Sequence, residues 1–424
     1  MTMPRFELPR ELIAARRERA VSGLKLEDQI LVIESGKPIQ IPGGFDQCCE
    51  FRVHPHFRWI TGLDQAGSAV AYAKEDGWVE FLRDVTEHDR AWDGLEPNER
   101  GRKYSELQGW LEAKSDRPVI RLGATDLTES AQLYDRRLLE ARRPKDAFEI
   151  DLIKSATEAT RIGYRAAVEF IRPGITERQL QIELESATFR AGADRMGYAS
   201  IVGFGPNSRV FHFTPGERVL GANDLVLIDA AGEVDGYCAD VTRTYTASGK
   251  LEGRQKAVHN FIEASLDAGI EMCRSAVEWH QVHIASARVI AQGLVDLGVL
   301  VGEIDGILES GAIGLFFPHG VGHTVGLGVR DAGGFAEGRD NSAECCGVKI
   351  RNNYPLHEGV VTTVEPGCYF IPALLQEPSR RSKFASQVNW TEVDVWLEFG
   401  GVRLEDNVLV TNGSPLNMTS DIPR

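Results

Sequence analysis

No stretch of eighteen uninterrupted apolar residues occurs in this 424-residue chain, which excludes a helical membrane span. No Cys-x-x-Cys is present, so a zinc ribbon has no ligands to build on. The seven cysteines are an odd number, and four of them form the adjacent pairs Cys48-Cys49 and Cys345-Cys346. Neighbouring cysteines rarely bridge each other, so a disulfide framework is not expected, and reduced thiols in a cytoplasmic setting fit best. Positive charge is also short: 47 Lys and Arg face 62 Asp and Glu, for a net charge of −15. With no Lys/Arg run to compensate, nucleic acid is not an expected partner. The amino-terminal Met-Thr-Met-Pro-Arg-Phe-Glu-Leu-Pro carries no long apolar stretch, so no export signal is expected.

What remains is ordinary for a globular chain, with 42% hydrophobic and 26% charged residues. The length allows two or three domains. Residues 9–24 read as a charged surface helix. Strands are predicted at Ile30–Ile33, Ala69–Tyr72, Trp78–Leu82 and Val119–Leu122, with a helix around Tyr104–Ala113. This alternation predicts an α/β domain over 1–143. The basic, Pro-containing Arg142-Arg143-Pro144-Lys145 breaks the pattern and marks the boundary. A second domain over 144–424 opens with a long amphipathic helix, Phe148–Phe170. Thr176-x-x-Gln179 then forms a capping box for the next helix.

In that second domain, four carboxylates and one imidazole stand in apolar or Gly-rich contexts: Asp229, Asp240, His323, Glu365 and Glu405. Burying four like charges is prohibitive unless something positive lies between them. A pair of divalent cations would neutralise the set, and oxygen-rich ligation with one histidine suits manganese, with cobalt or zinc as further possibilities. Asp229 ends the apolar run Leu225–Ile228, and Glu365 ends Val360–Val364 in the same way, a faint hint of internal duplication. Asp229 and Asp240 are expected on paired strands of a hairpin turning at Gly232 and Gly236. Gly320 and Gly322 place His319 and His323 in a loop rather than on a helix. Arg403 alternates with Glu405, so both should face one way on a strand. There Arg403 can hold the glutamate's geometry or receive developing negative charge. Two adjacent ions that share and acidify one water are equipment for hydrolysing an amide.

These motifs resemble the metallopeptidase family of Xaa-Pro dipeptidase, Xaa-Pro aminopeptidase and methionine aminopeptidase, whose catalytic domain has the α+β pita-bread fold. Phe57-Arg58-Trp59-Ile60-Thr61-Gly62 is similar to the Phe-x-Tyr-Leu-Thr-Gly segment of the first two. The resemblance implies that Asp229 binds one ion, that Asp240 and Glu405 bind both, and that His323 and Glu365 complete the first. It makes Glu365 the proton shuttle to the proline nitrogen, His212 a substrate-side histidine and His319 a group near the reacting centre. It implies that Trp92 reaches a neighbouring subunit's site, and hence a homodimer or larger assembly.

The segments around Glu365 and Glu405 look more like prolidases, and Arg351 matches an arginine that in prolidases clamps the dipeptide carboxylate. The expected activity is therefore cleavage of Xaa-Pro dipeptides. The alternative is a Xaa-Pro aminopeptidase acting on longer peptides. More remote are a non-catalytic pita-bread binding module and a metal-free hydrolase of the creatinase type. One position departs from the family: relatives read Val-His-Asp where this chain has Val329-Arg330-Asp331. Arg330 could tighten carboxylate binding, shift the preferred residue or impair turnover.

Overall fold

The computed structural model describes residues 8–114, 116–123, 127–340 and 343–424. The segment 1–7, part of the stretch read above for an export signal, lies outside them. The chain divides into two compact units, Met1–Arg142 and Arg143–Arg424.

In the first unit, Ile30–Glu34 is the sheet's inner strand, antiparallel to Ala69–Ala73 and parallel to Val119–Leu122. Gly77–Leu82 and the short Arg102–Lys103 extend the sheet on the far side. The expected strands are all present, and each puts apolar residues into the core, as at Ile30, Val32 and Phe81. Helix Arg10–Leu24 has little amphipathic character overall. It nonetheless buries Ile13, Ala20 and Leu24 at helical spacing, and Arg16 with them.

The second unit repeats one plan. Helices Ala147–Phe170 and Glu177–Arg190 pack as a pair beside the sheet of Ile201–Phe204, Leu225–Asp229 and Thr242–Thr246. Helices Gly253–Glu271 and Trp279–Asp296 form a second pair beside Val361–Val364, Asp406–Leu409 and Leu416–Asn417. The predicted capping box closes on both sides: Thr176 Oγ1 accepts from the Gln179 N–H at 3.2 Å, and Gln179 Oε1 from the Thr176 N–H at 3.0 Å. The main core gathers Trp279, Phe316, Phe370 and Trp396 around the second half.

Between the two sheets lies a buried ion pair, Arg243–Asp406 at 2.7 Å, with neither side chain exposed. Arg243 also donates to the Glu405 carbonyl at 2.7 Å, so the pair anchors the strand end that carries Glu405. Among the described residues no helix is long and apolar enough to cross a membrane. None of the seven cysteines is joined in a disulfide.

Candidate metal centre

Strand ends converge on one cavity of about 590 Å³, lined by Asp229, Asp240, His323, Glu365 and Glu405. His212, His319, Arg330, Arg351 and Arg403 line it as well. Of the candidate site residues expected from the sequence, only Trp92 belongs to the first unit. It is exposed on the helix Glu87–Asp93 and stacked on His88 at 5.3 Å.

Asp229 closes the strand Leu225–Asp229, and its register partner is Thr242, not Asp240. The expected hairpin is present: the same register runs on through Ala230–Val241 and Gly232–Ala239 to Val234–Tyr237, so Asp229 and Asp240 stand on its two arms, with the turn at Asp235-Gly236 rather than Gly232. After Asp229 the chain leaves for a second small sheet, turns at Asp235-Gly236, and returns through Tyr237–Cys238. Asp240 sits in the link between that excursion and the strand Thr242–Thr246. Asn407 holds it there, accepting from the Asp240 N–H at 3.0 Å and donating to its carbonyl at 2.7 Å.

His319 and His323 lie in irregular backbone, as the glycines required. A Cβ at Gly322 would stand 2.2 Å from the Thr363 carbonyl oxygen, so glycine lets this loop lie against the strand Val361–Val364. The Thr324 carbonyl lies 3.1 Å from His323 Nδ1 and, being only an acceptor, places the proton there. Nε2 is then left with a lone pair 3.3 Å from Asp240 Oδ2 and 3.8 Å from Glu365 Oε1. Lone pairs facing carboxylates at that range repel unless a cation stands between them.

Asp240, His323 and Glu405 each offer a donor atom, all within 4.8 Å of one another and all buried. Asp229 and Glu365 border this trio but are drawn to arginines. Asp229 accepts from Arg403 Nη2 at 2.6 Å and from the Tyr198 hydroxyl at 2.6 Å. Glu365 accepts from Arg351 Nη1 at 3.2 Å. Burial, with Asp240, Glu365 and Asp229 nearby, holds the Glu405 carboxyl far above the usual range. Burial and the charge of Asp240 push Asp229 up to about 6, although Arg403 and Tyr198 pull the other way. Glu365 is held below its ordinary value: burial works against this, and His319, Arg351 and His323 outweigh it. The donor set thus carries more negative charge than its arginines neutralise, and oxygen donors with one imidazole fit divalent ions.

A signed consequence follows for metal uptake. A carboxylate must lose its proton to ligate, and in the metal-free protein Asp229 keeps its proton up to about pH 6. Uptake should therefore release protons, and apparent Mn²⁺ affinity should rise steeply as pH climbs through about 6. Calorimetric titration on either side of that pH checks this; equal affinities would contradict it.

Arg403 proves to be a holding group. It is 3% exposed and spends its donors on Asp229, on Thr242 Oγ1 at 3.0 Å and on the Tyr369 hydroxyl at 3.0 Å. Thr242 Oγ1 in turn donates to Glu405 Oε2 at 2.7 Å. His319 Nδ1 faces the Gly320 carbonyl at 2.9 Å, which leaves Nε2 to accept from the Tyr369 hydroxyl at 3.0 Å. Burial takes the His319 imidazole down to about 4, so the ring is neutral at pH 7. Sequence reasoning passed over Tyr198, Thr242, Tyr369 and Asn407 as site residues. No local pattern marks a tyrosine or threonine whose partner lies 31 to 163 residues away.

Residues 151–412 match the model of metallopeptidase family M24, and residues 13–105 match the aminopeptidase P, N-terminal domain. A protein of Botryotinia fuckeliana described as a probable Xaa-Pro aminopeptidase is 28% identical over 411 residues, 92% of this chain and 89% of that protein. One of Talaromyces marneffei with the same description is 32% identical over 287 residues, 66% and 61% of the two chains. Among solved structures, proline aminopeptidase P II of Yersinia pestis superposes with a TM-score of 0.80 at 24% identity, covering 98% of this chain and 97% of that one. Zinc-substituted aminopeptidase P of Escherichia coli in complex with product gives 0.80 at 24% identity, covering 99% and 97%. At that identity the likeness is one of fold: an α/β amino-terminal domain and an α+β pita-bread domain.

Proposed function

Because the chain belongs to metallopeptidase family M24, we propose that it is a Xaa-Pro aminopeptidase, removing the first residue of peptides whose second residue is proline. The observation that carries a metal-dependent hydrolysis is the buried trio Asp240, His323 and Glu405, with the His323 lone pair turned toward carboxylates. The choice of aminopeptidase over the dipeptidase expected from Arg351 is supported by the fungal relatives, so described and aligned over up to nine-tenths of this chain.

When bound, a pair of divalent ions supplies Lewis acidity to the scissile carbonyl and acidifies a water. Asp229, Asp240, His323, Glu365 and Glu405 would hold it, and we propose manganese, with cobalt or zinc as alternatives. Glu365 would take the water's proton and deliver it to the proline nitrogen, with the Arg351 guanidinium at 3.2 Å favouring its ionised form. Arg403 keeps Asp229 in place. His212 is exposed on the cavity and orients the peptide. Arg330 lines the same cavity with no hydrogen bond or ion pair to a described residue, so its guanidinium is free for substrate. Seven cysteines outside any disulfide support a reducing, cytoplasmic setting. The exposed Trp92 supports a homo-oligomer in which it reaches a neighbouring copy.

Cleavage of Ala-Pro-Ala but not Ala-Ala-Ala tests the proline requirement; equal rates would contradict it. The dipeptidase reading survives on one observation: Arg351 lines the cavity beside Glu365. If Arg351 clamps a terminal carboxylate, Arg351→Ala should raise the KM for Ala-Pro about 10-fold and leave longer peptides nearly unaffected. An equal effect on both lengths would rule out the clamp.

A further inference from the structure

A second group of metal-type side chains lies outside the acidic centre. His283, Cys345 and Cys346 each present a donor atom, all within 4.8 Å of one another. The two sulfurs are 3.8 Å apart. His283 projects from the helix Trp279–Asp296 and is fully buried. The main chain of Cys345 lies beside its ring, yet neither ring nitrogen closes a hydrogen bond. A fully buried imidazole with at most one loose main-chain contact is costly, and core histidines ordinarily find a firm partner.

The cysteines stand at the tip of a hairpin in which Glu344–Cys345 pairs with Val348–Lys349. The two-residue turn is Cys346-Gly347, with φ of +53° and +79°. Such a turn favours Asn-Gly or Asp-Gly, because both positions need left-handed backbone. A cysteine there is held against its conformational preference, which points to a use for the thiol rather than for the turn. The tip is firmly seated, since a Cβ on Gly347 would lie 2.6 Å from the Gly311 Cα.

We propose that His283, Cys345 and Cys346 form a second metal site, for a thiophilic d¹⁰ cation of the zinc or copper(I) class. Two thiolates with one imidazole are a soft donor set, unlike the carboxylates of the acidic centre. The ion ties the hairpin to the helix Trp279–Asp296. It lies one ring away from the catalytic cavity: His283 stacks on Phe317 at 5.1 Å, and Phe317 meets His319 edge-on at 4.9 Å.

The test adds Cd²⁺ to the reduced full chain after the acidic centre is saturated with Mn²⁺. Thiolate ligation gives a sulfur-to-cadmium charge-transfer band, which a centre of carboxylates and imidazole cannot produce. The band should saturate at one equivalent, raise the unfolding midpoint and bleach when Zn²⁺ or Cu⁺ competes. It should be lost in Cys346→Asn, where asparagine suits the left-handed turn and keeps the hairpin folded. His283→Gln should weaken Cd²⁺ binding more than 10-fold, and Cys48→Ser/Cys49→Ser should leave the band intact. No band, a band that neither Zn²⁺ nor Cu⁺ bleaches, or a band surviving in Cys346→Asn would overturn the site.

Discussion

Asp240→Ala is expected to lose bound metal and peptidase activity together. Asp240 Oδ2 lies 3.3 Å from His323 Nε2, and these two with Glu405 are the donors that already converge. Removing one leaves a site unable to hold its ions, and the Lewis-acid contribution of several kcal/mol disappears, about 10³-fold or more in kcat/KM. The same change acts oppositely on the empty protein. Without metal, the Asp240 charge helps to keep Glu405 protonated far above its usual range. Deleting that charge relieves repulsion, so the unfolding midpoint of chelator-treated protein should not fall. That of Mn²⁺-loaded protein should, because stabilisation by the bound ion is lost. Metal analysis, kinetics and two melting curves check all three. A variant that keeps full metal content and activity would remove Asp240 from the site.

Glu365→Gln is expected to retain metal and fold while cutting kcat about 10²–10⁴-fold, the range of a positioned acid–base group. Glutamine keeps the size and one carbonyl oxygen, but it cannot accept and pass a proton at neutral pH. The lost ion pair to Arg351 matters little for stability, because that arginine is one-third exposed. KM should change less than kcat, which separates a missing proton shuttle from a missing binding contact. A drop in metal content matching the drop in rate would make Glu365 chiefly a ligand.

Much of this was legible from residue patterns, for physical reasons. Four carboxylates within apolar contexts leave few alternatives to a buried cationic partner, and Asp229, Asp240, His323, Glu365 and Glu405 do line one cavity. The strands of the first unit were readable because β-branched runs such as Ile30–Ile33 bury on both faces. The hairpin that joins Asp229 to Asp240 was readable from the glycines between them, but its third strand was not. The chain between them pairs with Arg195–Met196, and no local signal announces so distant a partner. Nor could spacing show that Arg403 is spent on Asp229, Thr242 and Tyr369 rather than on substrate. Arg351 reads from the sequence as a substrate clamp; its ion pair with Glu365 emerges only once the two are folded together. The fungal relatives favour the aminopeptidase over the dipeptidase suggested by that arginine, because a single cation does not establish substrate length.

The most direct measurement incubates Mn²⁺-loaded protein with Ala-Pro-Ala, Ala-Pro and Gly-Pro and follows free alanine, free proline and the released Pro-Ala. The expected result is alanine and Pro-Ala from the tripeptide, abolished by chelation and restored by Mn²⁺. Proline release from the two dipeptides with an untouched tripeptide would contradict the aminopeptidase reading, and cleavage that survives complete removal of metal would contradict the metal centre itself.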